Sequence, residues 1–439
     1  MQPAARIASL IELLAEVEEG IAENATPADI LVGNYFRARR YAGSKDRRFI
    51  SESLYQLLRQ RELLLWCAGK LDAAPTARFL VIAWQVLNDE ALLDLFAVEG
   101  AYAVGPLTAE ETKMVAALKA LDAVQTAPKA VQLNVPAWAA QGFEARYGVG
   151  WPEAAAAFNS QASVDLRLNK LKCKGRERES FHDGSVTLED TRWSPLGLRS
   201  QGNIALGSID DYKRGLLEVQ DEAAQVASLL VDAQPGMQVV DFCAGAGGKS
   251  LTVAAQMENK GQLYAFDTSA KRLEACKKRA QRAGTRNIQV AQVPEAGTER
   301  GAQLAQLAAL CDRVYVDVPC SGTGTWRRSP DQRWRQTDSS LATLKKLQLK
   351  LLSDAAELVR SGGRLLYMTC SILPEENEGV ISKFFDGTDK WKLLDYKDVW
   401  VSVVDGEAPD TLSSIAGTLQ LSPEQHQTDG FFIAVMERL

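Results

Sequence analysis

Histidine is nearly absent: His182 and His426 are the two in 439 residues. That scarcity argues against a Cys–His nucleophile pair and against a histidine-rich metal centre. No two cysteines stand in CxxC spacing, so a structural zinc site lacks its ligands and no metal is expected. Long hydrophobic runs are missing too, since no apolar stretch approaches the roughly 20 residues that span a bilayer. The start, Met1-Gln2-Pro3-Ala4-Ala5-Arg6, leads into an amphipathic run and not into a signal-peptide core. No membrane partner is expected. Seven cysteines, an odd number at irregular spacing, suit a reducing compartment, so the expected location is cytoplasmic. A basic excess is also lacking, and a formal charge of −6 does not advertise a nucleic-acid binder.

The positive charge that is present falls in clusters. One is Arg37, Arg39, Arg40, Lys45, Arg47 and Arg48, interleaved with Tyr35, Phe36 and Tyr41. A second is Arg167, Lys170, Lys172, Lys174, Arg176 and Arg178. The third is Arg327, Arg328, Arg333 and Arg335, with Trp326 and Trp334 among them. A charged cluster is ordinarily a solvated face. The third stands apart because it follows Cys320 directly.

A chain of this length favours several domains. From Ile7 to about residue 127 the periodicity is helical, as in Ile7, Leu10, Ile11, Leu14 and again Ile50, Leu54, Leu57, Leu58. Residues 1–130 therefore read as a helical bundle, with 128–135 as a linker. Residues 131–216 give mixed signals: a helix over 137–147, a strand over 164–172 and another near 185–188. This reads as a small α+β domain. Residues 217–439 alternate strand and helix, which implies a parallel sheet. Its strands are expected at 238–242, 262–266, 287–293, 313–317 and 364–369, with 430–438 as an antiparallel edge.

Two of those strands end at a thiol: Val314-Tyr315-Val316-Asp317-Val318-Pro319-Cys320 and Leu365-Leu366-Tyr367-Met368-Thr369-Cys370. A third ends in a Gly-rich loop, Cys243-Ala244-Gly245-Ala246-Gly247-Gly248-Lys249. In an open α/β sheet, ligands sit at the carboxyl ends of strands. Glycines let the backbone approach a ligand, and a helix N-terminus offers free N–H groups. Three ligands compete for the loop. A dinucleotide fingerprint needs a glycine at Ser250, and a P-loop needs one at Cys243, so each template fails by one residue. S-adenosylmethionine needs close backbone approach without a phosphate cradle, and Asp267 at the next strand end suits ribose hydroxyls. Cys67, Cys173, Cys276 and Cys311 have no distinguishing context and read as buried inert thiols. Cys320 and Cys370 stand at strand ends, each beside a small hydroxyl residue.

Asp317-Val318-Pro319-Cys320-Ser321-Gly322-Thr323-Gly324 and Thr369-Cys370-Ser371-Ile372-Leu373-Pro374-Glu375-Glu376-Asn377-Glu378, with the Gly-rich loop, resemble the RsmB/Nop/Sun family of RNA (cytosine-5)-methyltransferases. Gln220-Asp221-Glu222 and Asp429-Gly430-Phe431-Phe432 match the same pattern. The resemblance covers 217–439, extends to Arg167-Leu168-Asn169-Lys170-Leu171-Lys172, and reaches loosely to an antitermination-factor-like helical domain. It implies a multi-domain chain. A Rossmann-like class I methyltransferase domain would follow a small α+β domain and an N-terminal all-α domain.

The resemblance also implies a chemistry. Carbon 5 of cytosine is too weakly nucleophilic to take a methyl group unaided, and a thiolate adding at carbon 6 activates it. Cys370 is implied as that nucleophile, Cys320 as the group assisting elimination, and Asp317 as the partner of the cytosine edge. Lys249 would stand near the base or the cofactor. S-adenosylmethionine would lie on residues 243–249, Asp267, Arg272 and Asp317. A base must leave its stack to react, so Arg327, Arg328, Arg333 and Trp334 are expected to hold flanking RNA, with Arg39 and Arg40 adding phosphate contacts. Ribosomal RNA is the favoured substrate, transfer RNA the second, and the protein is expected to be a monomer.

Two features depart from the family. Gly245-Ala246 replaces a proline-containing turn before the paired glycines. After the third strand, Gln292-Val293-Pro294-Glu295 lacks the usual Asp near the adenine, with Glu295 a displaced substitute. A non-catalytic RNA-binding assembly factor and a P-loop NTPase remain as other classes.

Overall fold

The computed structural model describes the chain except residues 25, 89, 99, 101, 175–180, 182–186, 201–203, 205, 296–297 and 387. Arg176, Arg178 and the first residues of the strand expected at 185–188 lie outside the described part. The chain forms two compact units, Met1–Ser160 with Thr325–Asp338, and Gln161–Gly324 with Ser339–Leu439.

The first unit is helical, and its core is the one the periodicity marks out. Ile7, Leu10, Leu14, Ile50, Leu54, Leu57 and Leu58 are all buried in one cluster. The unit runs 30 residues past the expected boundary at 130. Helices Ala137–Tyr147 and Trp151–Phe158 belong to it because Phe143 meets Phe158 edge-on at 5.4 Å and stacks on Trp326 at 5.4 Å. The expected linker is packed as well: it holds helix Lys129–Gln132, and buried Asn134 accepts from the Leu63 amide at 3.1 Å.

The second unit holds two sheets. Strands β1 (Asp165–Leu168), β2 (Leu188–Asp190), β3 (Gly197–Ser200) and β4 (Leu217–Val219) form an antiparallel sheet in the order β2-β3-β1-β4. The large sheet contains β5 (Gln238–Asp241), β6 (Gln262–Asp267), β7 (Ile288–Gln292), β8 (Cys311–Asp317), β9 (Val359–Thr369), β10 (Trp391–Leu394) and β12 (Phe431–Arg438). Their order is β10-β12-β9-β8-β5-β6-β7, and β11 (Leu419–Leu421) pairs with β12. Strands β5 to β9 are parallel. Val239, Val240, Val314 and Leu365 to Met368 are fully buried, as runs covered on both faces must be. The last strand is antiparallel but interior, because β9 pairs with one side of β12 and β10 and β11 with the other. Strand order reverses between β5 and β8, and a crevice opens outside the carboxyl ends of strands at such a switch point.

Candidate active site

The loop after β5 and the two thiol-bearing strand ends meet at that crevice. Buried Asp241, the last residue of β5, accepts from the Ser250 hydroxyl at 2.6 Å and the Tyr315 hydroxyl at 2.8 Å. These bonds tie the strand end to the following helix, Gly248–Gln256, and to β8. Burial raises the Asp241 pKa to about 7, with the Ser250 and Tyr315 bonds opposing the shift. Gly247 caps the helix at φ +81°, and a Cβ there would sit 2.4 Å from Cys276 Sγ, so glycine is required twice over. The Gly245 amide donates to Asp267 at 2.8 Å, and the other oxygen of Asp267 accepts from the Ser269 amide at 2.7 Å.

Asp317 closes β8, and Lys249 Nζ lies 2.6 Å from its carboxylate and 4.8 Å from the Phe431 ring centroid. Burial alone would lower the Lys249 pKa, but Asp317 outweighs it with charge and hydrogen bond, and the charges of Cys370 and Asp241 add to that. The ammonium is thereby held above its ordinary value. A lysine engaged in this way is not presented to a phosphate chain, which weakens the P-loop alternative.

The thiols of Cys320 and Cys370 stand 3.3 Å apart, Sγ to Sγ. Cys320 is pushed well above an ordinary thiol by its bond to Cys370 first, then by burial and the charges of Cys370 and Glu376. The two loops are in close contact, since the Gly324 amide donates to Cys370 O at 2.9 Å. A Cβ on Gly324 would lie 2.0 Å from Gly430 O, so the Asp429-Gly430 turn fits only against glycine.

A cavity of about 460 Å³ is lined by Gly245, Ala246, Lys249, Arg272, Asp317 and Cys320 among others. A second, of about 340 Å³, is lined by Phe242, Phe266, Asp267, Val293, Glu295 and Arg300 among others. Cys243 lines both, and burial pushes its thiol well up. A glycine cradle with left-handed backbone, a strand-end carboxylate and an adjoining aromatic cavity fit a nucleoside with a charged tail. Residues 243–249, Asp267, Arg272 and Asp317 would hold it. Glu295 reaches the second cavity, and Arg300 lies over the Phe242 ring at 5.3 Å, bonded to Asp354 at 2.7 Å. No local pattern marks Arg300, which is placed by Phe242 after β5 and by Asp354 on the helix Asp338–Ala356.

The arginine-rich stretch after Cys320 needs correction. Arg333 was expected at RNA, yet it is 1% exposed. Its guanidinium donates to Asn134 O at 3.1 Å, Asn159 Oδ1 at 3.0 Å and Phe158 O at 3.3 Å, and lies 4.7 Å from the Trp326 ring. Burial, with the Arg59 charge adding, pulls its pKa down to about 9. Trp334 is not a free stacking platform either: its indole N–H donates to Leu58 O at 2.9 Å and its ring packs against the helical core. Arg327 is buried, and Arg328 is half-exposed. In the first cluster Arg40 is exposed, whereas Arg39 pairs with Glu12 at 3.2 Å and lies on the Tyr35 ring. In the second, Arg167 is buried and donates to Gln220 at 2.6 Å, so it is a core residue.

Among the described residues no group of three or more His, Cys, Asp or Glu is placed to hold a metal ion. Among them, likewise, no helix is long and apolar enough to cross a membrane.

Residues 228–437 match the family described as 16S rRNA methyltransferase RsmB/F. The chain is 36% identical over 312 residues to the Synechocystis sp. protein named probable ribosomal RNA small subunit methyltransferase B, covering 70% of this chain and 67% of that one. It is 31% identical over 311 residues to ribosomal RNA small subunit methyltransferase B of Shewanella oneidensis, covering 69% and 66%. These alignments span about two thirds of the relatives' length. Among solved structures, PH0851 superposes with a TM-score of 0.77 over 100% of this chain and 99% of its own, at 24% identity, a likeness of fold. A methyltransferase homolog from Pyrococcus horikoshii gives 0.60 over 71% and 98%, at 25% identity.

Proposed function

The chain belongs to the 16S rRNA methyltransferase RsmB/F family, and from that premise we propose that it methylates carbon 5 of a cytosine in RNA, with small-subunit ribosomal RNA the favoured substrate. The observation that carries the reading is the pair of thiols 3.3 Å apart beside the Lys249–Asp317 pair and the glycine-cradled cavity. A binding protein has no need of two thiols there. When bound, S-adenosylmethionine supplies an electrophilic methyl group on a sulfonium.

The chain's residues divide the remaining work. The Cys370 thiolate adds to carbon 6, and the displaced electron pair makes carbon 5 nucleophilic. Lys249, whose ammonium is held in part by the charge of Cys370, stands beside that sulfur and Asp317. Asp317, 31% exposed at its side chain and anchored by Lys249, faces the cavity and accepts from the cytosine edge. Once carbon 5 carries its methyl group, water takes the remaining carbon 5 proton, that electron pair re-forms the carbon 5–carbon 6 double bond, and the carbon 6–sulfur bond breaks with its pair returning to the Cys370 sulfur. Cys320, at 3.3 Å, assists that elimination.

The test is transfer of labelled methyl from S-adenosylmethionine to unmodified small-subunit RNA, with transfer RNA in parallel and products digested to nucleosides. Label in 5-methylcytidine with wild type, and none with Cys370→Ala, is the expected result. Label in neither RNA, nor in assembling ribosomal particles, would return the chain to the class of binding factors.

A further inference from the structure

One element of the cysteine motifs has no part in that chemistry. Glu376 lies six residues after Cys370 and is 0% exposed. Its carboxylate accepts from the Ser321 amide at 2.9 Å, the Ser371 hydroxyl at 2.6 Å and the Gln348 side chain at 2.8 Å, and from the Ser321 hydroxyl. Ser321 and Ser371 are the residues that directly follow Cys320 and Cys370. Gln348 also donates to Pro319 O, the residue before Cys320, at 3.0 Å. Thr323 and Ser371 share a hydroxyl bond at 3.0 Å, and the Ile372 amide donates to Thr323 at 3.0 Å. Both cysteine loops thus hang on one buried acid.

A buried carboxylate is costly unless its lone pairs are filled. Here four neutral donors fill them, and three of the four come from the two loops whose spacing matters. A carboxylate is acceptor-only, so all four donors can point inward together. An amide at the same position would present N–H groups to at least one of them.

We infer that Glu376 is a positioning residue: its carboxylate clamps Ser321 and Ser371 and thereby sets the separation of the Cys320 and Cys370 thiols. The charge of Glu376 also opposes ionisation of Cys320, which suits a group that holds a proton next to a thiolate nucleophile. The role in catalysis rests on the proposed cytosine chemistry, while the geometric claim does not.

The two are separated by a probe that needs neither RNA nor turnover. Phenylarsine oxide condenses with two adjacent thiols: two arsenic–sulfur bonds form, and the two S–H protons leave with the oxide oxygen as water. Affinity therefore reports how well two thiols share one arsenic, in the way effective concentration rewards any bidentate contact. Wild type is expected to bind the arsenical at this pair, with binding lost in Cys320→Ser. Glu376→Gln, folded by circular dichroism, is expected to bind about tenfold or more weakly and to lose kcat by a similar factor at unchanged KM for RNA. Ser371→Ala, which removes one donor and leaves the acid, is expected to move both in the same direction by less. Wild type binding no tighter than Cys320→Ser, or a folded Glu376→Gln binding as tightly as wild type, overturns the inference. If Glu376→Gln does not fold, Ser371→Ala and Ser321→Ala decide, and wild-type affinity in both overturns it. Weakened arsenical binding in Glu376→Gln, with no methyl transfer by wild type, would leave the clamp standing and remove the proposed function.

Discussion

Residues 317–324 and Thr325–Asp338 are joined by one peptide bond; Asp317 and Cys320 of the first were expected to act on the base, and Arg327, Arg328, Arg333 and Trp334 of the second to hold flanking RNA. In the first stretch Asp317 meets Lys249, and Cys320 meets Cys370. The second belongs to the helical unit, where Trp326 is 1% exposed, Arg333 bonds to Asn134, Phe158 and Asn159, and Arg335 donates to Gly20 O at 2.6 Å. Arginine and tryptophan are the residues a single-stranded RNA groove uses. They are also residues that fasten a segment to a helical core when carbonyl oxygens and aromatic rings await them. Composition is the same in both cases, and only the packing tells them apart.

The sharpest contrast is obtained by mutating one residue from each side. Cys370→Ala should remove methyl transfer altogether, at least ~10³-fold, because no other group supplies the covalent addition. Its denaturation midpoint should stay at the wild-type value. Arg333→Ala should do the reverse. It leaves buried acceptors unfilled and a gap beside Trp326, costing about 3 kcal/mol in urea unfolding, while the salt dependence of RNA binding keeps its slope. A shallower slope for Arg333→Ala would put its side chain back at the RNA.

Arg328→Ala is the smaller test on the same stretch. One lost phosphate contact should reduce the slope of log affinity against log salt by about one, with stability within about 0.5 kcal/mol of wild type. An unchanged slope would leave Thr325–Asp338 with no RNA role at all. Asp241→Asn probes the sheet side, and its signature is a slope and not a loss. The folded carboxyl keeps its proton up to about 7, whereas the unfolded one releases it near 3.8. Between those values the folded state binds more protons, so stability falls as pH rises from about 4 to about 7. The asparagine can still accept from Ser250 and Tyr315 and cannot titrate, so urea midpoints across that window should fall less steeply in the variant. Equal slopes would mean that Asp241 is ionised in the fold at the lower pH.

Much of the large sheet was legible because its cues are local. Runs such as Val314-Tyr315-Val316 and Leu365-Leu366-Tyr367-Met368 can only be strands covered on both faces, and their zero exposure follows from that. Gly245 and Gly247, read as letting the backbone approach a ligand, both adopt positive φ. The boundary at 130 failed for a physical reason. Helix Ala137–Tyr147 carries little amphipathic pattern of its own, and it joins the helical unit through contacts with Trp326, nearly 200 positions along the chain. Glu376 was visible as a letter in a motif, but an acid beside Glu375 and Glu378 reads as surface charge until Ser321 and Ser371 are seen to converge on it.

The chain by itself marked out the parallel strands β5 to β9 and the last strand, and showed that two of them run into thiols. Those outcomes depend on side-chain volume, backbone freedom and burial of nearby residues. Tertiary structure alone decided that the thiols face each other at 3.3 Å, that Lys249 pairs with Asp317, and that Arg333 is a core residue. Each of these depends on groups far apart in sequence, and such groups find one another only when strands β5, β8 and β9 align and the helices close around residues 325–338.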